Sequence, residues 1–110
     1  MIESVARSWM LGDFKEIIPI NTVASDFSIY FIVVEAVTNP DIFEVVLFAG
    51  EVEISRVRIV VKDILSLPFI VVQTPRIIKN TQIRARCANK LVSKEGITIS
   101  LYYRVYEGIY

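Results

Sequence analysis

The sequence predicts an all-β domain, an antiparallel β-sandwich of about eight strands, from three observations. The 110 residues include 17 Ile and 15 Val but only 4 Gly, and β-branched side chains favour strands because they are stiff at χ1. Short apolar runs recur at regular spacing between turn signals. None of these runs carries the 3.6-residue period of an amphipathic helix. Eight strands is also the number in a jelly roll, although one sequence does not give the strand order.

The length is that of one domain, residues 1–110. Its strand-like runs are 4–10, 14–24, 27–37, 42–49, 51–62, 69–74, 81–88 and 97–106. Pro19 interrupts the second run, which places it at an edge or a bulge. The third run is long and apolar, so we expect a central strand buried on both faces. Turns or loops are predicted at 38–41, 63–68 and 75–80.

The fifth run, 51–62, has two faces whose polarity changes near residues 55 and 56: one face turns from polar to apolar, and the other turns from apolar to charged. One face carries Glu51, Glu53, Ser55, Val57 and Ile59, and the other carries Val52, Ile54, Arg56, Arg58 and Val60. A strand that contains a bulge, or that passes from one sheet environment to another, has this pattern.

The composition excludes several classes of function. The chain has no His, so it has no Ser-His or Cys-His pair and no imidazole metal ligand. Its single cysteine, Cys87, forms neither an internal disulfide nor a zinc site and is expected in the core. We therefore expect no catalytic, metal or cofactor site, and a protein that is not an enzyme. An enzyme of this composition would have to work with carboxylates, Lys or Tyr alone.

Charge and apolar content point to protein partners. The formal net charge is zero, whereas a nucleic-acid binder normally carries a basic excess. Hydrophobic residues make up 54% of the chain, above the usual share, which indicates that part of the surface is buried in a homo-oligomer. No apolar run is long enough to span a bilayer, and the first residues lack the pattern of a secretory signal.

Arg84 and Arg86 alternate with Ile83, Ala85 and Cys87, which puts the arginines on the outer face of a strand. If runs 81–88 and 97–106 form a hairpin, the arginines join three outward residues of the last strand. Those residues are Tyr102, Arg104 and Tyr106. Such a patch is either a solvated sheet face, a protein interface, or a surface for nucleic acid or glycan.

Glu51 and Glu53 resemble a carboxylate pair for acid–base work, but no substrate-binding chemistry accompanies them. Charged decoration of an edge strand, or salt bridges to a neighbouring subunit's Arg84 or Arg86, is favoured instead. At the C-terminus, Ile109 and Tyr110 form either a frayed tail or an apolar arm that docks on a neighbour. Residues 1–12 and 107–110 are the candidate extended arms.

The second half also resembles a family. FAG, EVEISRVRI, TPRIIKNTQIRARCA and ITISLYYRVY follow one another over residues 42–106, and this order resembles that of small virion structural proteins of tailed bacteriophages. Pro75, Ile78, Thr81, Ile83 and Arg86 match the segment before the closing strand. Lys79-Asn80 replaces a small residue and Gly, and Asn tolerates the left-handed conformation that Gly takes there. Gln82 replaces an Arg of the pattern.

The resemblance implies a β-sandwich that assembles on a virion as a capsid-decorating, tail or fibre component. It implies a location in the virion after synthesis in the host cytoplasm, with copies of itself and other virion proteins as partners. The alternative is a recognition module for a glycan or a host receptor. A third, weaker alternative is a binder of single-stranded nucleic acid that uses the Arg and Tyr residues.

Overall fold

The computed structural model describes residues 2–6, 15–90 and 95–106. The predicted all-β sandwich is confirmed. The eight strands within these residues are β1 (Ile2–Ala6), β2 (Lys15–Ile18), β3 (Phe27–Val37), β4 (Asp41–Ala49), β5 (Val52–Val61), β6 (Phe69–Val71), β7 (Ile83–Asn89) and β8 (Glu95–Val105).

The strands form two sheets that β1 links. The front sheet has the order β1-β8-β3-β6, and the back sheet has the order β2-β7-β4-β5. Residues 2–4 of β1 pair with β8, whereas Val5 and Ala6 pair with β7. Among the described strands, every pair is antiparallel except β1 with β7, which is parallel.

One apolar core fills the space between the sheets. Both sheets contribute alternate residues, because successive side chains of a strand point to opposite faces. The fully buried large side chains of this core are Phe27, Ile29 and Ile32 of β3, Phe43, Val45 and Leu47 of β4, Ile59 of β5, Ile83 of β7 and Ile97 of β8. Burial of each large apolar side chain contributes about 1.5–3 kcal/mol, and these contributions are the main source of the stability of the fold.

The change of character predicted in the fifth run is a β-bulge. Leu47 pairs with Ser55 and Phe48 pairs with Glu53, so β5 has one residue, Ile54, in excess of its partner. Beyond the bulge, Val57, Ile59 and the last residue of β5 point into the core. Because β5 is the edge strand of the back sheet, the bulge also disrupts the exposed edge against pairing with other chains.

The prediction that β3 is buried on both faces is wrong. Its burial alternates, and only the inward residues are fully buried, whereas Phe31 and Val33 on the outer side are half-buried. No other element lies over that side among the described residues, since the front sheet pairs β3 laterally with β6 and β8. It is β4 that is buried on both faces, with Val45 and Val46 both at 0% exposure.

The turns follow the local sequence. β2 has a register shift and ends at Ile18, immediately before Pro19, as proline requires. Gly50, in the β4–β5 turn, has a φ of 60°. Asn80 has a φ of 66°, which confirms that it takes the left-handed conformation.

Candidate functional site

Four arginines and the one carboxylate of β4 after its first residue lie on the outer side of the back sheet. We call this set the arginine face: Glu44 on β4, Arg56 and Arg58 on β5, and Arg84 and Arg86 on β7. The strand register places Arg58 directly opposite Glu44. The prediction that the two β7 arginines point away from the core is confirmed, because the residues that alternate with them are fully buried in it.

Arg56 joins two carboxylates of its own chain. Its Nη1 donates a 3.0 Å hydrogen bond to Glu44 Oε1, and its Nη2 donates a 2.8 Å hydrogen bond to Glu53 Oε1. Arg58 Nε stands 3.8 Å from the second oxygen of Glu44. The hydrogen bond from Arg56 lowers the pKa of Glu53 below its usual 4.5. Glu53 is therefore ionised at neutral pH and is not suited to act as a general acid.

The two carboxylates at the start of the fifth run differ in their surroundings. Glu51 lies in the exposed turn before β5, and Glu53 is held by Arg56. The cation that Glu53 binds is thus supplied within its own chain. An intersubunit partner is not needed to satisfy this carboxylate.

The arginine side chains of β7 cover part of the outer side of the back sheet. Arg84 Nη2 donates a 2.8 Å hydrogen bond to the carbonyl of Gly50, and the guanidinium carbon of Arg86 lies 6.0 Å from the centroid of the Phe48 ring. Val46, between Arg56 and Arg86 in the register, is 0% exposed. Arginine stems bury apolar surface while the charged group stays at the surface, so this face has a structural role.

The last two strands do not form the hairpin on which the patch depended. β7 pairs with β4 and β2 in the back sheet, whereas β8 pairs with β1 and β3 in the front sheet. Arg84 and Arg86 therefore lie on the opposite side of the sandwich from Tyr102 and Arg104. The patch that would have combined them with Tyr106 does not exist, because the β7–β8 connection crosses between the sheets.

An exposed apolar surface lies on the outer side of the front sheet. We call it the aromatic face and define it as Phe31 and Val33 of β3, Phe69 and Val71 of β6, and Tyr102 of β8. The register pairs Phe31 with both Val71 and Tyr102, and it pairs Val33 with Phe69. The rings of Phe31 and Phe69 meet edge to face at 5.5 Å. Phe69, Val71 and Tyr102 are 64%, 69% and 47% exposed.

The sequence reasoning missed most of this face. Tyr102 was among the candidate residues predicted from the sequence. The outer residues of β3 were expected in the interior, and β6 was not considered as part of a surface. The available signal was the alternation of Phe31 and Val33 with the core residue Ile32 next to a short edge strand. A contiguous exposed apolar patch is a mark of an interaction surface.

Two charged residues lie at opposite ends of the aromatic face. Arg104 pairs with Ser28 at one end, and its guanidinium carbon lies 5.3 Å from the centroid of the Tyr30 ring. Glu35 is exposed at the other end, where it is the bulge residue between Val34 and Ala36. Among the described residues, neither of these charges forms an ion pair within the chain.

Tyr106 belongs to a different cluster, which fastens the 75–81 loop to the front sheet. Arg76 Nε donates a 2.9 Å hydrogen bond to Asp26 Oδ2, and the Lys79 amide donates one of 2.9 Å to Oδ1. The Arg76 guanidinium carbon lies 4.5 Å from the centroid of the Tyr106 ring. These hydrogen bonds, with the Lys79 amide first, lower the pKa of Asp26 below its usual 3.8.

A small apolar cleft of about 260 Å³ lies beside this loop, at one end of the sandwich. It is lined by Ala49, Val52, Ile54, Pro75, Arg76, Ile77, Ile78 and Thr81. Its volume is below that of ligand pockets for drug-sized molecules, and its one charged group is already bound to Asp26. The cleft therefore offers a ligand little polar recognition.

Cys87 is a core residue, as predicted. Its thiol is fully buried, and burial raises its pKa to about 12, with the nearby Asp41 as a smaller cause. Asp41 is itself held in place, because Asn89 Nδ2 donates a 2.8 Å hydrogen bond to its Oδ2. A protonated, buried thiol is a poor nucleophile.

The described residues contain no group of three or more Cys, Asp or Glu side chains placed to hold a metal ion. Over the same part of the chain, no helix is long and apolar enough to cross a membrane. Ile109 and Tyr110 lie outside the described residues. Within the candidate N-terminal arm, Ile2–Ala6 form β1, and the remainder of both arms also lies outside.

Comparison with known proteins returned no relative: no family model matches the chain, no curated protein matches it, and no solved structure matches it. The described residues define a β-sandwich with one closed, ion-paired outer face and one open, apolar outer face.

Proposed function

We propose that this protein is a non-enzymatic structural subunit of a virion, of the capsid-decorating, tail or fibre type, and that its fold is a jelly roll. The observation that carries the proposal is the aromatic face, an apolar surface left exposed on one side of the sandwich. An exposed apolar surface of this kind marks an interaction site, and a subunit buries it against a neighbour.

The strand order supports the jelly roll. The front order β1-β8-β3-β6 lies opposite the back order β2-β7-β4-β5, so that strands adjacent in the chain lie in opposite sheets at every connection except β4–β5. Two interleaved Greek keys of eight strands have this order, and viral capsid domains are among the proteins that use it. The resemblance over residues 42–106 supports the same class.

The chemistry of the side chains favours assembly over catalysis. Glu53 and Asp26 are bound to arginines, and Cys87 is buried and protonated. Affinity in such a subunit comes from repeated modest contacts, because symmetry multiplies each of them.

The direct test is whether the chain is part of a particle. Particles are purified by density gradient from a culture that produces this chain. They are then digested and analysed by quantitative mass spectrometry. We expect peptides of this chain in the particle band at many copies per particle, with an abundant cytoplasmic protein of the host as the matched control for carry-over. A chain confined to the soluble fraction, while the major capsid protein enters the band, would contradict the proposal.

The second candidate is a module that recognises a glycan or a receptor. The exposed ring of Tyr102 beside Phe31 favours it, since lectin domains also use the jelly roll and apolar surfaces mark binding sites. A glycan array with wild type and Tyr102→Ala tests it. Binding that is lost in the variant supports recognition, and an array with no signal above that of a denatured sample contradicts it.

A further inference from the structure

We infer that the aromatic face is the contact between two copies of this chain, stacked front sheet to front sheet around a two-fold axis that lies between the sheets and perpendicular to the strands. This inference rests on the proposed assembly function and names the surface and the partner. The partner of the face is a second copy, because the face is self-complementary in both shape and charge.

The complementarity follows from the rows of outward residues on β8. Positions 104, 102, 100 and 98 are equally spaced and share the outer side of the front sheet. A two-fold axis midway between the second and third rows exchanges the first row with the fourth, and the second with the third. Each strand then lies over the same strand of the other copy, running in the opposite direction.

Shape complementarity appears in the two central rows. One row consists of Tyr102, Phe31 and Val71, and the other consists of Ser100, Val33 and Phe69. The two-fold axis puts the large Tyr102 over a small Ser100, Phe31 over Val33, and Val71 over Phe69. Large side chains therefore face smaller ones on every strand, which is how two stacked sheets interdigitate.

Charge complementarity appears in the two outer rows. Arg104 lies in the first row, and Glu35 is the bulge residue of β3 just before the fourth row, one strand to the side. The two-fold axis therefore brings Arg104 of one copy to Glu35 of the other, and it does so twice. The alternative axis along β3 would exchange β8 with β6 and leave Arg104 and Glu35 at opposite ends of the interface, so neither charge would meet an opposite one.

The size of the face sets the strength of the contact. Three strands and four rows cover roughly 14 by 20 Å, less than half of the ~800 Å² that each partner contributes to a standard interface. The isolated dimer is therefore weak, with a dissociation constant between about 1 μM and 1 mM. In an assembly, many such contacts act together.

Charge reversal tests the pairing by sedimentation velocity of the purified chain over a range of concentrations up to about 2 mM. Glu35→Arg alone and Arg104→Glu alone each place like charges at both ends of the interface, and each is expected to weaken the dimer about tenfold. The double variant exchanges the signs and is expected to recover the dimer to within about threefold of wild type. Lys62→Glu, at an exposed position just after β5, is the control and leaves the dimer unchanged.

A second variant keeps the test independent of the charges. Val71→Lys places an ammonium group in the centre of the apolar contact at a position that is already exposed, so the monomer folds while the dimer is lost. Urea unfolding of every variant establishes that the monomer is intact.

Each result decides the inference. Weakening by both single reversals and by Val71→Lys, with recovery in the double variant, supports it. Weakening without recovery, or self-association that none of these variants alters, overturns this face while leaving the proposed function standing. A wild type that stays monomeric at 2 mM also overturns the dimer, and the particle analysis then decides the proposed function separately.

Discussion

Glu44 and Arg56 form a hydrogen-bonded ion pair of 3.0 Å on neighbouring strands of the back sheet. Glu44 is only 8% exposed, so its carboxylate depends on this partner and on Arg58 at 3.8 Å. The arrangement explains how β4 keeps a carboxylate on a strand that is buried on both faces. The two arginines of β5 in the arginine face thus stabilise the fold by pairing with Glu44.

Arg56→Ala is expected to lower the free energy of unfolding by about 1–3 kcal/mol, because it leaves a buried carboxylate with one distant cation. Arg58→Ala is expected to cost less than about 1 kcal/mol, since the Arg56 hydrogen bond remains. Urea denaturation measures both. The addition of Glu44→Gln to Arg56→Ala should recover part of the loss, and equal costs for the two arginines would contradict this account.

The loss of unfolding free energy at acid pH is expected to depend on Asp26 and Glu53. Their folded pKa values are lowered by hydrogen bonds, so their contribution is complete above their usual values of 3.8 and 4.5 and is lost as the pH falls through the folded values. Urea unfolding from pH 7 to pH 2 measures this loss. Asp26→Asn and Glu53→Gln should be less stable than wild type at pH 7 and should converge with it at pH 2. Differences that stay constant with pH would refute the linkage.

Asn80→Gly is expected to change the stability by less than about 0.5 kcal/mol, whereas Asn80→Ala should cost about 1 kcal/mol, because its φ of 66° suits Gly and Asn. The position matters because the Asn80 amide donates a 2.7 Å hydrogen bond to the carbonyl of Val23. Lys79→Ala, next in the chain and without a positive φ, is the matched control for thermal unfolding. If Asn80→Ala is as stable as Lys79→Ala, the turn does not constrain the loop.

Cys87 is expected to be inert in the native protein at pH 8, because burial raises the pKa of its thiol to about 12. Its reaction with an aromatic disulfide reagent should need an opening of the sandwich. The native rate should then be at least about a thousandfold below that of the protein in 6 M guanidinium chloride, as expected from the rarity of unfolding in a stable domain. Rapid labelling of the native chain would place Cys87 at the surface.

The strands themselves could be predicted from the sequence because alternation and turn residues are local signals. The run 27–37 matches β3 at both ends, and the change of character near residue 55 marks the bulge at Ile54. The left-handed conformation of Asn80 followed from the resemblance, in which Gly stands there, and from the tolerance of Asn for that conformation.

The pairing of strands could not be predicted in the same way. Runs 81–88 and 97–106 are neighbours in the chain, and neighbours usually pair, but here the connection crosses the sandwich. The candidate site failed for this reason, since Arg84 and Tyr102 lie on opposite sides. Local patterns do not record which sheet a strand joins.

The aromatic face was missed because the sequence does not distinguish an apolar residue that the fold covers from one that it leaves exposed. Val46 on β4 and Phe31 on β3 both occupy outer positions. The first lies between arginine stems at 0% exposure, whereas the second borders an edge strand of only three residues. The arrangement of neighbouring strands decides between them, and that is a property of the whole sandwich.

We hold that this chain assembles with copies of itself through its surface. Size-exclusion chromatography with in-line light scattering, run on the wild type at loadings from about 10 μM to 2 mM, tests it most directly. We expect a mass that rises with concentration from 12.5 kDa towards 25 kDa or more. A mass that stays at 12.5 kDa over the whole range would contradict it.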